Sequence, residues 1–126
     1  MRTATLHKAE RLSRQKVIDS LFAGGACSFS VFPLRVVYLP SDVLEAPAAI
    51  LVSVSKRRFK RAVKRNRVKR QIREAYRLHK SLLLPALETK QVKLAVAFIY
   101  LADKLTPSSV IEERMTSALC RIAESL

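Results

Sequence analysis

The spacing of apolar positions along this chain changes character several times, and each change marks an expected element. Val17, Ile18, Leu21 and Phe22 fall on one helical face. A first helix is therefore expected over residues 13–22, with Ser13 as N-cap and Gly24-Gly25 as the stop. Residues 34–39 then alternate, with Leu34, Val36 and Tyr38 pointing one way and Arg35 the other, which is the period of a strand. Asp, Glu and Pro fill a turn at 41–47, and residues 48–55 form a second strand with Ile50, Val52 and Val54 on one face. A long helix is expected from Arg61 to Leu83, with Pro85 ending it. Val92, Leu94, Val96, Phe98 and Tyr100 alternate with smaller neighbours in a third strand over 92–100. Thr106 as N-cap and Pro107 at the first helical position open a last helix, backed by Ile111, Met115, Ala118, Leu119, Ile122 and Leu126. The order α-β-β-α-β-α predicts an α+β sandwich of one sheet with packed helices, a single domain over residues 1–126.

Charge gives the long helix a second meaning. The chain of 126 residues carries 24 Lys and Arg against 10 Asp and Glu, net +14, and 11 of those cations lie among the 18 residues 56–73, which contain no acid. The remainder is nearly balanced, 13 cations against 10 acids, net +3. Like charge opposes compaction and is tolerated for a polyanionic partner; so local a footprint is the kind phosphate contacts leave. On a helical wheel, Val68, Ile72, Ala75, His79, Leu82 and Leu83 gather into an apolar seam. Asn66, Lys69, Arg70, Arg73 and Arg77 gather on the neighbouring flank, which begins beside Tyr76 and Arg65. The seam binds the helix to a sheet, and the flank is left for a ligand.

Little in the rest of the sequence carries chemistry. Cys27 and Cys120 are unrelated in spacing and read as reduced thiols of a cytosolic protein. The N-terminus lacks the apolar core of a secretory signal. The longest apolar stretch, residues 94–102, falls far short of the roughly 20 residues that span a bilayer. His7 and His79 are isolated, no metal-ligand spacing occurs, and the two glycines, Gly24 and Gly25, exclude a phosphate-binding glycine loop. No catalytic or metal residue is expected from the protein itself. Zinc-finger and zipper patterns are missing, so DNA is not the expected partner, and residues 50–55 lack the paired aromatics of an RNA recognition motif.

The string Ser53-Val54-Ser55-Lys56, Ala62-Val63, Arg65-Asn66-Arg67-Val68-Lys69-Arg70 and Ile72-Arg73-Glu74 closely resembles the signature of the bacterial ribonuclease P protein component family, including its RNR motif. Arg11-Leu12, Ile18, Leu21-Phe22 and Gly24 resemble that family's first helix, and Val36 and Tyr38 its first strand. The resemblance implies a ribosomal protein domain 2-like fold with a left-handed β-α-β crossover, against the usual hand. It implies the protein subunit of a cytoplasmic ribozyme whose RNA removes the 5′ leader of precursor tRNA using Mg²⁺, with no cofactor held by the protein. The partners would be the ribonuclease P RNA subunit and precursor tRNA, with neither membrane nor DNA. Lys56, Arg57, Arg65, Asn66, Arg67, Lys69, Arg70 and Arg73 would contact RNA; Arg65, Lys69 and Arg73 would track the leader, and Arg67 and Arg70 would face the RNA subunit. Ile18, Phe22 and Tyr38 would line the leader cleft, the two rings offering stacking surfaces, although plain core packing of both rings stays open. The chain departs from the family at Arg58-Phe59-Lys60-Arg61, where many members carry Gly-Asn, and at Ile18, where many carry an aromatic. Two other readings remain: a ribosomal or other structural RNA-binding protein, and a self-sufficient nuclease, which the missing carboxylate and histidine constellation disfavours.

Overall fold

In a computed structural model, which describes residues 8–126, four strands form one open sheet with helices on both faces. The elements run α1 (Gln15–Leu21), β1 (Cys27–Val31), β2 (Leu34–Pro40), β3 (Ala48–Ser53), α2 (Ala62–His79), α3 (Leu84–Lys90), β4 (Leu94–Tyr100) and α4 (Ser108–Ser125). The strand order is β1-β2-β4-β3; β4 is antiparallel to β2 and parallel to β3. The β3–α2–β4 unit is thus the crossover between parallel neighbours, and α2 hangs from it.

The two faces of the sheet are built differently. Leu34, Val36, Ile50, Val52, Val96 and Phe98 meet Val68, Ile72, Ala75 and Tyr76 of α2 and Ile111, Met115 and Leu119 of α4 in the larger core. On the opposite face Val37, Ala49, Ala95 and Ala97 meet Val17 and Leu21 of α1, together with Leu12 and Leu44. β4 separates the two by alternation: its large side chains, Leu94, Val96, Phe98 and Tyr100, point to α2 and α4, and its alanines point to α1. Those small side chains let a short helix lie close to the sheet while covering only part of it.

Several expected boundaries move. The sequence pattern does not predict β1: its outward-facing Ser28 and Ser30 leave only Phe29 and Val31 to signal a strand. α1 is capped by the Arg14 backbone with no side-chain cap bond, so Ser13 is not its N-cap. α2 stops at His79, and a single 3₁₀ turn, Lys80–Leu82, leads into α3. Pro85 therefore sits in the first turn of a new helix and does not end the long one, a place where its missing N–H costs nothing. Gln91, in left-handed backbone (φ 54°), closes α3. Pro107 is the N-cap of α4, and the Thr106 hydroxyl bonds the Tyr100 hydroxyl instead. No helix among the described residues is long and apolar enough to cross a membrane.

Candidate nucleic-acid interface

α2 presents its cations because its apolar residues are spent on the sheet. Val68, Ile72, Ala75 and Tyr76 are buried, whereas Asn66, Arg67 and Arg70 are exposed and Lys69 and Arg73 half-buried. Asn66, Arg70 and Arg73, with Glu74 and Arg77, line a recess of about 420 Å³ whose far wall is Arg11. Glu74 is bonded by the Arg77 guanidinium, which holds its carboxyl below the usual carboxylate range. With the local acid so occupied, Arg11, Arg70 and Arg73 have no side-chain partner among the described residues.

The sequence marks Arg11 only through the resemblance of Arg11-Leu12 to the family's first helix and gives it no site role; it lies ahead of α1, outside that helix. Residues 8–12 run alongside the sheet, where Arg11 bridges Ile50 in parallel and the Leu12 N–H donates to the Ile50 carbonyl at 2.8 Å. The Lys80 ammonium clamps the same segment, donating to both Glu10 carboxylate oxygens at 2.9 Å in a largely buried pair. The contact that brings Arg11 to α2 is therefore tertiary.

Two expected site residues, Arg65 and Tyr38, sit elsewhere than expected. The resemblance implies that Arg65 tracks the leader, but its Nη1 donates to the carbonyls of Phe59 and Lys60, both at 2.8 Å. Half-buried, it braces the crossover loop. Lys56 and Arg57 are exposed on the loop between β3 and α2, the position the sequence gives them, and the Arg57 N–H donates to Ser55 Oγ (3.0 Å). Tyr38 is the clearest correction: it lies in the larger core, its ring edge-on to Phe29 and its hydroxyl 2.8 Å from Ser125 Oγ. The cleft lies on the other face of the sheet.

That cleft is a recess of about 300 Å³ between the end of α1 and the β1–β2 hairpin. Phe22, Ser28, Arg35, Val37 and Ile99 line it. Phe22 is 52% exposed at the C-cap of α1, and Gly24, at φ +103°, turns the chain away just beyond it. Ile18 is half-buried against the smaller core. Val37 occupies the cleft position expected of Tyr38, and Arg35, read from sequence only as the polar side of a strand, supplies a cation.

His79 sits at the rim, its Nε2 3.0 Å from Glu112 Oε1, and ties α2 to α4; His7 lies outside the described residues. Cys27 and Cys120 are free thiols. Among the described residues, no three His, Cys, Asp or Glu side chains converge as metal ligands.

A family model described as Ribonuclease P matches residues 6–120. The chain is 48% identical over 122 residues to the ribonuclease P protein component of Porphyromonas gingivalis, covering 96% of this chain and 88% of that one. It is 35% identical over 108 residues to the component of Chlorobaculum tepidum, covering 80% and 70%. In fold it is similar to the RNase P protein of Thermotoga maritima, with a TM-score of 0.70 at 17% identity over 89% and 96% of the two chains. The RNase P protein of Staphylococcus aureus gives a TM-score of 0.70 at 23% identity over 93% and 97%.

Proposed function

Since the chain belongs to the ribonuclease P protein family, we propose that it binds the ribonuclease P RNA subunit and precursor tRNA together, assisting removal of the tRNA 5′ leader. The recess formed by Arg11, Asn66, Arg70 and Arg73 carries this reading, because it sets unpaired cations from two distant segments around one concavity. Phosphate oxygens of a folded RNA are the ligand that such a site fits: charge-assisted hydrogen bonds to anions are short and strong. Each phosphate neutralised also releases counterions. Phe22, with Arg35 beside it, offers the cleft a stacking surface and a charge for unpaired leader nucleotides.

The protein's part is positional. Cations placed between two polyanions offset their mutual repulsion, and that lowers the Mg²⁺ needed to hold them together. The hydrolytic chemistry belongs to the RNA subunit and the Mg²⁺ it binds.

Reconstitution tests this reading. The purified protein alone should leave precursor tRNA intact. With the RNA subunit encoded in the same genome, it should restore leader cleavage at Mg²⁺ concentrations where that RNA alone is inactive. Unchanged RNA-alone activity on adding the protein would refute the assignment.

A further inference from the structure

We propose that α2 holds RNA on both of its flanks, and that a second phosphate-binding site lies between the crossover loop and the loop joining β4 to α4. The proposal rests on the functional reading above and adds to it a strand and residues which that reading does not use. A recess of about 460 Å³ opens there, lined by Arg58, Lys60, Arg61, Lys64, Asp103 and Lys104. Five cations face one carboxylate, and that carboxylate is engaged: Arg58 Nη1 lies 2.7 Å from Asp103 Oδ1. Lys60, Arg61, Lys64 and Lys104 are exposed and have no side-chain partner among the described residues.

Both walls are fixed by bonds that leave these four cations free. On one side Phe59 is buried with its ring 6.0 Å from that of Tyr100, and Arg65 holds the carbonyls of Phe59 and Lys60. On the other side the Tyr100 hydroxyl donates to the Lys104 carbonyl at 2.6 Å. The segment that departs from the family pattern is therefore a braced loop carrying added charge. Bracing matters because a preorganised site does not have to order its cations when the ligand arrives.

The site is distinct from the recess at Arg11. Gln71 Nε2 donates to the Thr106 carbonyl and to Ser108 Oγ, both at 3.0 Å, so that flank of α2 faces the start of α4. Lys64, two turns earlier, shares the flank. Asn66, Arg70 and Arg73 turn instead toward Arg11. Because the one aromatic of the loop, Phe59, is buried, the second site offers charge without a stacking surface. Its ligand is an RNA backbone, read without regard to sequence.

Lysine acetylation of the full-length protein, read by mass spectrometry, tests the proposal with the same-genome RNA subunit and with precursor tRNA in separate arms. Lys60, Lys64 and Lys104 should lose reactivity several-fold in at least one arm, and the arm identifies the strand. Lys90, at the end of α3, should stay reactive in both. The variant Lys60→Ala/Lys64→Ala/Lys104→Ala should lower the slope of log K against log salt by about two to three, at roughly 0.7–0.9 per phosphate. If the wild-type protein binds RNA and stimulates cleavage while these lysines react as Lys90 does and the slope is unmoved, the second site is refuted alone. If it binds neither RNA, both readings fall.

Discussion

Phe22 and Tyr38 show how much a single residue's face decides. Phe22 is half-exposed at the cleft, whereas Tyr38 is buried on the far side of the sheet with its hydroxyl on Ser125. Phe22→Ala should weaken binding of precursor tRNA relative to leaderless tRNA by about 1–3 kcal/mol, the worth of one lost stack. It should move folding stability by no more than about 0.5 kcal/mol. Tyr38→Phe should do the reverse, costing about 1 kcal/mol of stability with leader discrimination intact. Paired affinity measurements and urea unfolding separate the two; a Tyr38→Phe variant that lost leader discrimination would put the cleft on the wrong face. The sequence period puts Leu34, Val36 and Tyr38 together but cannot say which face they share, because Val37 between them is buried as well. Tyr76 was legible only as the edge of the seam. Burial first, then the charge of Glu10, pushes its phenol well above the ordinary range, and its hydroxyl meets no partner among the described residues. Tyr76→Phe should accordingly be neutral or stabilise by up to about 1 kcal/mol in the same urea assay.

At the scale of elements, α2 was readable because one helix carries both of its signals: the 3.6-residue period separates Val68, Ile72 and Ala75 from Asn66, Arg70 and Arg73. What joins α2 to its surroundings was not readable. The segment holding Arg11 is fixed by a bridge to Ile50 and by the Glu10–Lys80 clamp, contacts that span tens of residues. β1 was hidden for a different reason. Edge position and serine content removed the apolar alternation that marks an interior strand. The clamp makes a prediction of its own. Lys80→Met removes the cation from a carboxylate that is only 8% exposed, and breaking a buried pair from one side costs about 3 kcal/mol. It should lower the urea midpoint and weaken RNA binding, since Arg11 loses its fixed place. Arg11→Ala should weaken RNA binding alone. Equal stability of Lys80→Met and the wild type would show that the clamp does not set this segment.

For the whole molecule, the concentration of charge sets two responses to salt that run in opposite directions. The free protein bears net +14, most of it in the 18 residues 56–73, where no acid interrupts the cations. Most of those cations are exposed on α2 and its crossover loop, and they repel one another across distances comparable to the Debye length, about 10 Å at 0.1 M salt. Added NaCl screens that repulsion, so the urea midpoint of the free protein should rise as salt is raised from low concentration. The same salt competes with the cations for RNA. If about six phosphates are engaged, log K should fall against log salt with a slope of order −4 to −5. Replacing Arg67 and Arg70 together by Ala should flatten that slope by about one to two, because two exposed cations leave α2. The double variant should also blunt the rise in stability with salt, since the repulsion it relieves is the repulsion that salt would screen. Folding measured by urea titration and binding measured by filter retention over one salt series should therefore diverge in the wild type and converge in the double variant. A free protein whose stability fell with salt in step with its RNA affinity would show that the cations are held by internal partners, and that the basic face of α2 is not kept open for RNA.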